Sequence, residues 1–202
     1  MEISAEMVKE LRVKTGTGIM DCKRALQETS GDFEKAVDLL RQKGVSTTRK
    51  RSSKAASEGQ IAAYIHGDGK IGVLVEVNSE TDFVARTEGF RSFVREIAMQ
   101  IAAANPLYIK REDVPQEVLE REISIFRAQS LEQGKPEKVV ERIVEGKVKK
   151  YFQEVCLMEQ SYIRDDKKTV QDLLNELISS LGENINIRRF CRYQLGRTEE
   201  NM

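Results

Sequence analysis

Residues 71–84, with the sequence IGVLVEVNSETDFV, carry the chain from a strand into a helix and decide the fold. Apolar residues occupy every second position in the first half of this stretch, at Ile71, Val73, Val75 and Val77. A period of two predicts a strand with one apolar face, and such a face needs a layer of helices to cover it. The stretch therefore predicts a sheet packed against helices.

The second half of the stretch, Thr81-Asp82-Phe83-Val84, places an aromatic residue where turns usually carry small polar residues. In one interpretation, Phe83 packs into the core as the first apolar residue of the next helix, because aromatic side chains are usually buried. In the other, Phe83 points outward and fills a pocket on another protein, since aromatic anchors dominate interface energetics. The residues alone leave both interpretations open.

Before this stretch, residues 1–44 have the spacing of three short amphipathic helices. Ser4 can cap the first helix and Gly16 can end it, while Asp32 can cap the third and Gly44 can close it. The apolar positions at helical spacing are Val8 and Leu11, then Ile19, Cys22 and Leu26, then Phe33, Ala36, Val37 and Leu40. This pattern predicts a compact three-helix bundle of the ubiquitin-associated type, suited to docking on a partner helix.

The remaining pattern predicts a helix-rich core with a small antiparallel sheet, so the fold class is α+β. The predicted elements are a hairpin of Gln60–His66 and Ile71–Asn78, a helix from Arg86 to Ala104 capped by Thr81 or Asp82, helices after Pro115 and Pro136 with a break at Gly146, a turn at Asp165–Lys168, a helix through Leu173–Leu181, and a strand Ile185–Leu195 that completes the sheet. The predicted domains are a bundle at 1–46, a basic linker at 47–57, an α+β core at 58–196 and a polar tail at 197–202.

The composition argues against a general nucleic-acid or membrane partner. The 202-residue chain is 33% charged and 40% hydrophobic, and its formal net charge is +0, so no global field attracts anionic polymers or lipid surfaces. No apolar run approaches the roughly 20 residues of a membrane-spanning helix. The N-terminus resembles neither a signal peptide nor a transit peptide, and we expect a cytoplasmic protein.

The sequence offers little material for chemistry. Its three cysteines, Cys22, Cys156 and Cys191, are widely spaced and form no metal-binding motif, and its only histidine is His66. Gly67-Asp68-Gly69 is a turn, and the phosphate-binding glycine motifs are absent. We therefore expect no catalytic residues, no metal site and no cofactor, and we do not expect an enzyme.

Three groups of residues carry a resemblance to a known family. They are Val8-Lys9-Glu10-Leu11-Arg12 with Thr15-Gly16, Gly18 and Met20-Asp21-Cys22-Lys23-Arg24-Ala25-Leu26; then Asn78 with Thr81-Asp82-Phe83-Val84-Ala85; and Gly182-Glu183-Asn184-Ile185-Asn186-Ile187-Arg188-Arg189. With these motifs, which span nearly the whole chain, the sequence resembles elongation factor Ts, the nucleotide exchange factor for elongation factor Tu.

The resemblance implies a function and a site. The bundle is expected to dock on the GTP-binding domain of elongation factor Tu, with partner-binding residues Val8, Leu11, Arg12, Ile19 and Met20. Thr81, Asp82, Phe83 and Val84 are expected to enter near the bound Mg²⁺ and phosphates, with Phe83 as a wedge and Asp82 as its polar neighbour. GDP release follows, and the factor stays bound until GTP enters.

The sequence also departs from the longer members of the family. Those have a doubled core and a protruding helical hairpin, whereas this chain has one core half, so pairing with a second copy is an alternative to a monomer. Cys191 belongs either to such a contact or to the core. Gln160-Ser161-Tyr162 stands where the family pattern has Gln-Pro-Phe, which leaves the contacts of that loop open.

Two other functions stay open from the residues alone. The bundle by itself favours a module that binds ubiquitin-like proteins or nascent chains. The basic residues of Arg49-Lys50-Arg51, together with Arg188, Arg189 and Arg192, favour an RNA-binding protein, although no aromatic residues are interleaved with the first cluster to stack on bases.

Overall fold

The computed structural model describes the backbone of residues 3–51 and 53–197 and the side chains of residues 3–43 and 53–197. The helices are α1 (Ala5–Thr15), α2 (Ile19–Glu28), α3 (Phe33–Arg51), α4 (Asp82–Ala85), α5 (Glu88–Ala104), α6 (Gln116–Glu132), α7 (Glu137–Val155) and α8 (Val170–Leu181), with short 3-10 turns at Arg111–Asp113 and Leu157–Glu159. The strands are β1 (Glu58–His66), β2 (Ile71–Ser79), β3 (Ser161–Tyr162), β4 (Asp165–Thr169) and β5 (Ile185–Gln194).

The described chain is an α+β fold, as the sequence predicted. Its main sheet is antiparallel with the order β1-β2-β5. The C-terminal strand β5 therefore completes the sheet that the β1-β2 hairpin begins, as predicted. The chain divides into two compact units: one contains Met1–Tyr64, Leu74–Ala98 and Asp172–Cys191, and the other contains Ile65–Val73, Met99–Gln171 and Arg192–Met202. The predicted domain boundaries stay a prediction.

The first unit begins with the three-helix bundle, whose predicted ends are confirmed at three positions. Ser4 caps α1 by accepting a hydrogen bond from the Met7 amide, and Gly16 ends it in the left-handed conformation (φ 66°). The Asp32 carboxylate accepts from the Lys35 amide at the start of α3. Seven side chains form the bundle core: Val8, Leu11, Cys22, Ala25, Leu26, Ala36 and Leu40.

The predicted end of the third helix at Gly44 is wrong. α3 continues to Arg51 and so includes the first residues of the predicted linker 47–57. One glycine in an exposed helix costs only about 1 kcal/mol relative to alanine, so it does not have to stop a helix. The side chains of the basic cluster Arg49-Lys50-Arg51 lie outside the described residues, as does most of the predicted tail 197–202.

The apolar face predicted for β2 is confirmed, because Val73, Val75 and Val77 are almost completely buried. Leu74, which lies between the first two, is half exposed. The helical stripe after it is also buried, including Phe90 and Ile97. The predicted start of that helix is wrong, however: α4 ends at Ala85, and α5 begins separately at Glu88. Thr81 therefore caps α4 and not the long helix.

The second unit contains α6 and α7, which pack against each other as a helical hairpin. The predicted break at Gly146 is wrong, since α7 runs without interruption from Glu137 to Val155. The predicted turn at Asp165–Lys168 is also wrong, because these residues belong to β4, which pairs with β3. β4 is short and polar, so it lacks the alternation of apolar and polar residues by which a half-buried strand is predicted.

One buried and one exposed set of contacts stabilise the second unit. The buried Gln100 side chain donates to the Gln160 side-chain oxygen (3.2 Å) and accepts from the Ile163 amide (2.9 Å). Arg111 donates to both carboxylate oxygens of Glu159, at 2.7 and 2.6 Å, and its guanidinium stacks on the Phe152 ring. Gln160 thus has a structural role in the loop where the sequence departs from the family pattern.

We predict that Gly59→Ala will destabilise the protein by at least about 2 kcal/mol, because the backbone has a positive φ and the new Cβ would meet backbone atoms. Gly59 has φ 139°, and its Cβ would lie 2.1 Å from the Val77 carbonyl oxygen. Urea unfolding followed by circular dichroism measures the change. Gly72→Ala is the matched control, since its Cβ would meet only the flexible Ile65 side chain at 3.4 Å. Equal destabilisation by both variants would contradict the prediction.

Candidate functional site

The aromatic residue at the strand-to-helix junction points into solvent. Phe83 is 78% exposed, while Ala85, two residues further along α4, is buried. Successive helical residues are rotated by about 100°, so the two side chains lie on opposite faces of α4. Of the two interpretations of Phe83, this placement supports the outward one.

Hydrogen bonds to Thr81 fix the start of α4. Its backbone is extended (φ −127°, ψ 156°), and its hydroxyl accepts from the Val84 amide at 3.4 Å, which caps the helix. The hydroxyl of the buried Ser79, the last residue of β2, donates to the Thr81 carbonyl oxygen at 2.9 Å. The strand end and the helix start are therefore tied together within three residues.

Two glutamates outside the predicted site also hold this junction. The Glu183 carboxylate accepts from the Thr81 hydroxyl (2.7 Å) and from the Thr81 amide (3.0 Å). Glu80 accepts from the Asn184 amide at 2.6 Å. Sequence reasoning missed this pairing because residues a hundred positions apart give no local signal, although Glu183 and Asn184 belong to a stretch that carried the resemblance.

Asp82 is the charged residue beside the exposed ring. Its carboxylate pairs with Arg86 one helical turn later, at 2.8 Å, and the Asp82 and Arg86 side chains are 45% and 72% exposed. Ion pairs of this kind contribute little to stability because water screens them. The Asp82 carboxylate is therefore accessible to a partner.

The bundle presents some of its predicted partner-binding residues and buries the others. Ile19 and Met20 are 53% and 64% exposed, and Arg12 is also exposed. Val8 and Leu11 lie in the bundle core, which corrects their assignment: buried side chains cannot contact a partner, so we leave them out of the binding surface.

One exposed apolar residue beside this group was not predicted. Val13, next to Arg12 near the end of α1, is 81% exposed. Its position off the apolar stripe of Val8 and Leu11 was the available signal, because an apolar residue on the outer face of an amphipathic helix has no core to enter.

The three cysteines are free thiols. Cys22 and Cys156 are buried, and burial raises the pKa of the Cys156 thiol to about 11. Burial likewise raises the pKa of Cys22, with the Asp21 charge adding to the effect. Both are structural residues that stay protonated near neutral pH, whereas Cys191 on β5 is only half-buried.

The arginines proposed to bind RNA are partly engaged with the protein itself. Arg189 pairs with Glu76 at 2.7 Å, and Arg192 donates to the Ala102 carbonyl oxygen at 3.1–3.2 Å. Arg188 is exposed. Of the three arginines on β5, Arg189 and Arg192 thus make contacts within the protein.

Within residues 3–51 and 53–197, no three histidine, cysteine or acidic side chains are grouped closely enough to hold a metal ion. In the same part of the chain, no helix combines the length and the apolar character that crossing a bilayer requires. His66, the last residue of β1, is exposed.

The fold and the exposed side chains define a class of protein: an α+β protein with exposed apolar and charged side chains on its short helices. A family model described as "Elongation factor TS" matches residues 43–197. An elongation factor Ts of Caldanaerobacter subterraneus is 64% identical over 194 residues, which cover 96% of this chain and 97% of the relative. Those of Geobacter sulfurreducens and Acetivibrio thermocellus are 58% and 56% identical, covering 97% and 98% of this chain and 91% and 94% of the relatives.

The chain therefore belongs to the elongation factor Ts family, and it is a translation elongation factor. The three relatives are similar to this chain in length.

We predict that Leu11→Ala will destabilise the protein by about 2–5 kcal/mol, because it leaves a cavity in the bundle core. Met20→Ala should change stability by no more than about 0.5 kcal/mol, since an exposed side chain makes few contacts. Thermal unfolding of both variants measures the difference. If the two variants lost equal stability, the division between core and surface in the bundle would be wrong.

Proposed function

We propose that this chain is a guanine-nucleotide exchange factor for elongation factor Tu, acting in the cytoplasm, and that Phe83 enters its partner to promote GDP release. The observation that carries the proposal is the exposure of Phe83, at 78%, on a junction that is otherwise tied down by hydrogen bonds. Membership in the elongation factor Ts family supports the choice of partner.

Exchange of this kind requires no bond to be made or broken. A factor that binds the nucleotide-free partner more tightly than the nucleotide-bound one must weaken nucleotide binding by the same factor. Burial of one aromatic side chain supplies about 2–3 kcal/mol, and this energy becomes available only when the partner opens a pocket for Phe83.

The neighbours of Phe83 give the insertion its direction. The exposed Asp82 carboxylate would approach the Mg²⁺ and phosphate site of the partner, where a displaced Mg²⁺ removes the main positive charge that holds the phosphates. Thr81 and Val84 complete the stretch, the first as the helix cap and the second as a half-buried support.

The bundle supplies the docking surface in this proposal. Arg12 and Val13 lie near the end of α1, and Ile19 and Met20 lie at the start of α2, so the short turn between these helices places the four residues at one end of the bundle. Exposed apolar side chains with an adjacent arginine match the composition of protein interfaces.

A second copy of the chain is the other partner that we propose. On the main sheet, Ile61 and Leu74 are 64% and 48% exposed, and they line a shallow depression together with Phe190 and Cys191. An exposed apolar patch on a sheet marks an interaction surface. A two-fold dimer would cover it with the same patch from the other copy.

We predict that Phe83→Ala will reduce the acceleration of GDP release from elongation factor Tu roughly thirtyfold, which corresponds to the loss of about 2 kcal/mol of apolar burial. The folded structure should be unaffected, because the ring makes little contact with its own chain. Release of a fluorescent GDP analogue in stopped flow measures the rate.

Leu131→Ala is the control, since it also removes an exposed apolar side chain, 45% exposed, at the end of α6. It should accelerate release as the wild type does. An unchanged rate for Phe83→Ala would rule out the insertion, and unfolding of that variant would place Phe83 in the core.

We predict that the wild type has about twice the 23.0 kDa mass of one chain in solution, and that Leu74→Glu returns it to a single chain, because a buried unpaired carboxylate is strongly unfavourable. Light scattering coupled to size exclusion measures the mass. Leu131→Glu, at a site of similar exposure, should leave the mass unchanged. A wild type with the mass of one chain would refute the dimer.

A further inference from the structure

The helix that carries Phe83 cannot hold its own shape. α4 has only four residues, and isolated helices shorter than about 12 residues are marginal in water. The direction of the Phe83 ring therefore depends on contacts that α4 makes with other parts of the chain.

Immediately before α4, residues 80–81 exchange hydrogen bonds with the turn after α8. Glu183 accepts two bonds from Thr81, at 2.7 and 3.0 Å, and Glu80 accepts one from the Asn184 amide, at 2.6 Å. Asn184 in turn donates to the Lys54 carbonyl oxygen at 2.6 Å. Each segment thus supplies both a backbone donor and a carboxylate acceptor to the other.

Glu183 also determines how the Thr81 hydroxyl is used. A hydroxyl has one hydrogen and two acceptor lone pairs. Because the hydrogen is directed to the Glu183 carboxylate, a lone pair is left to accept from the Val84 amide, and this is the bond that caps α4. A carboxylate is suited to the role, since it only accepts hydrogen bonds and can accept from the hydroxyl and the amide together.

We propose that Glu183 is a positioning residue for nucleotide exchange: it holds Thr81, and through the cap it holds α4 with the Phe83 ring directed outward. The inference rests on the proposed function, because it assigns Glu183 a part in the insertion of Phe83. Glu183 itself does not touch the partner in this scheme.

Glu183→Gln tests the proposal at the loop itself. The amide has a single acceptor oxygen, so at least one Thr81 donor faces an NH₂ group. The chain contains no tryptophan, so Phe83→Trp introduces a unique fluorophore at the tip. In that background, Glu183→Gln should lower the fluorescence anisotropy because the side chain gains local motion, and Glu145→Gln, an exposed glutamate on α7, should not.

The same substitution in the otherwise native chain tests the effect on exchange. The maximal rate of GDP release at saturating factor should fall about tenfold, since misplacement of an inserting group is costly. The factor concentration at half-maximal rate should stay within about twofold, because the bundle still docks. A general loss of folded protein would lower the active fraction, which raises the factor concentration at half-maximal rate and leaves the maximal rate at saturation unchanged.

The outcomes separate this inference from the proposed function. Lower anisotropy together with a lower maximal rate supports it, and unchanged anisotropy or an unchanged maximal rate overturns it. If the wild type fails to accelerate GDP release, the proposed function fails, while the anisotropy still decides whether Glu183 holds the loop. If Glu183→Gln does not fold, Thr81→Val replaces it. Removal of the hydroxyl should also lower the fluorescence anisotropy and the maximal rate of GDP release. An anisotropy and a maximal rate equal to those of the wild type would overturn the inference.

Discussion

The hydrogen bonds that join residues 80–81 to residues 183–184 are the constraint on which the site depends. They connect segments 102 to 104 positions apart in the chain, one at the end of β2 and the other at the start of β5. Charge-assisted bonds to backbone amides are roughly twice as strong as neutral ones. The partly buried location keeps water from competing for the same donors, so the junction keeps its geometry without help from the short helix.

The residues that hold the first unit together through these contacts differ from the residues that are exposed on its surface. Ser79, Thr81 and Glu183 satisfy one another, and Val77 and Ala85 face the interior. Phe83 and Asp82 are left with few contacts to their own chain. The bundle repeats the division: Val8 and Leu11 hold it together, while Val13 and Met20 face solvent. We expect substitutions in the first group to change stability and those in the second to change binding.

The parts of the structure that follow from periodicity could be predicted from the sequence. The β2 alternation and the caps at Ser4, Gly16 and Asp32 depend only on neighbouring residues, and they were predicted at the correct positions. Errors arose where the sequence lacks a local signal. A glycine inside a helix is only mildly unfavourable, so the helix ends predicted at Gly44 and Gly146 are wrong. The Asp165–Thr169 strand carries no apolar alternation, and its pairing comes from the neighbouring β3.

The lack of a local sequence signal affects the candidate site even more. The residue pattern marked Phe83 as unusual but left core and surface open, because that choice depends on which side of α4 faces the interior. Only the resemblance implied the outward placement. Glu183 was invisible as a site residue, since its role exists only once β5 has returned beside β2. In the proposed exchange, a ring already directed outward would lose little conformational freedom on binding. More of the energy of its burial would then act on the partner, and linkage would pass that energy on as weaker nucleotide binding.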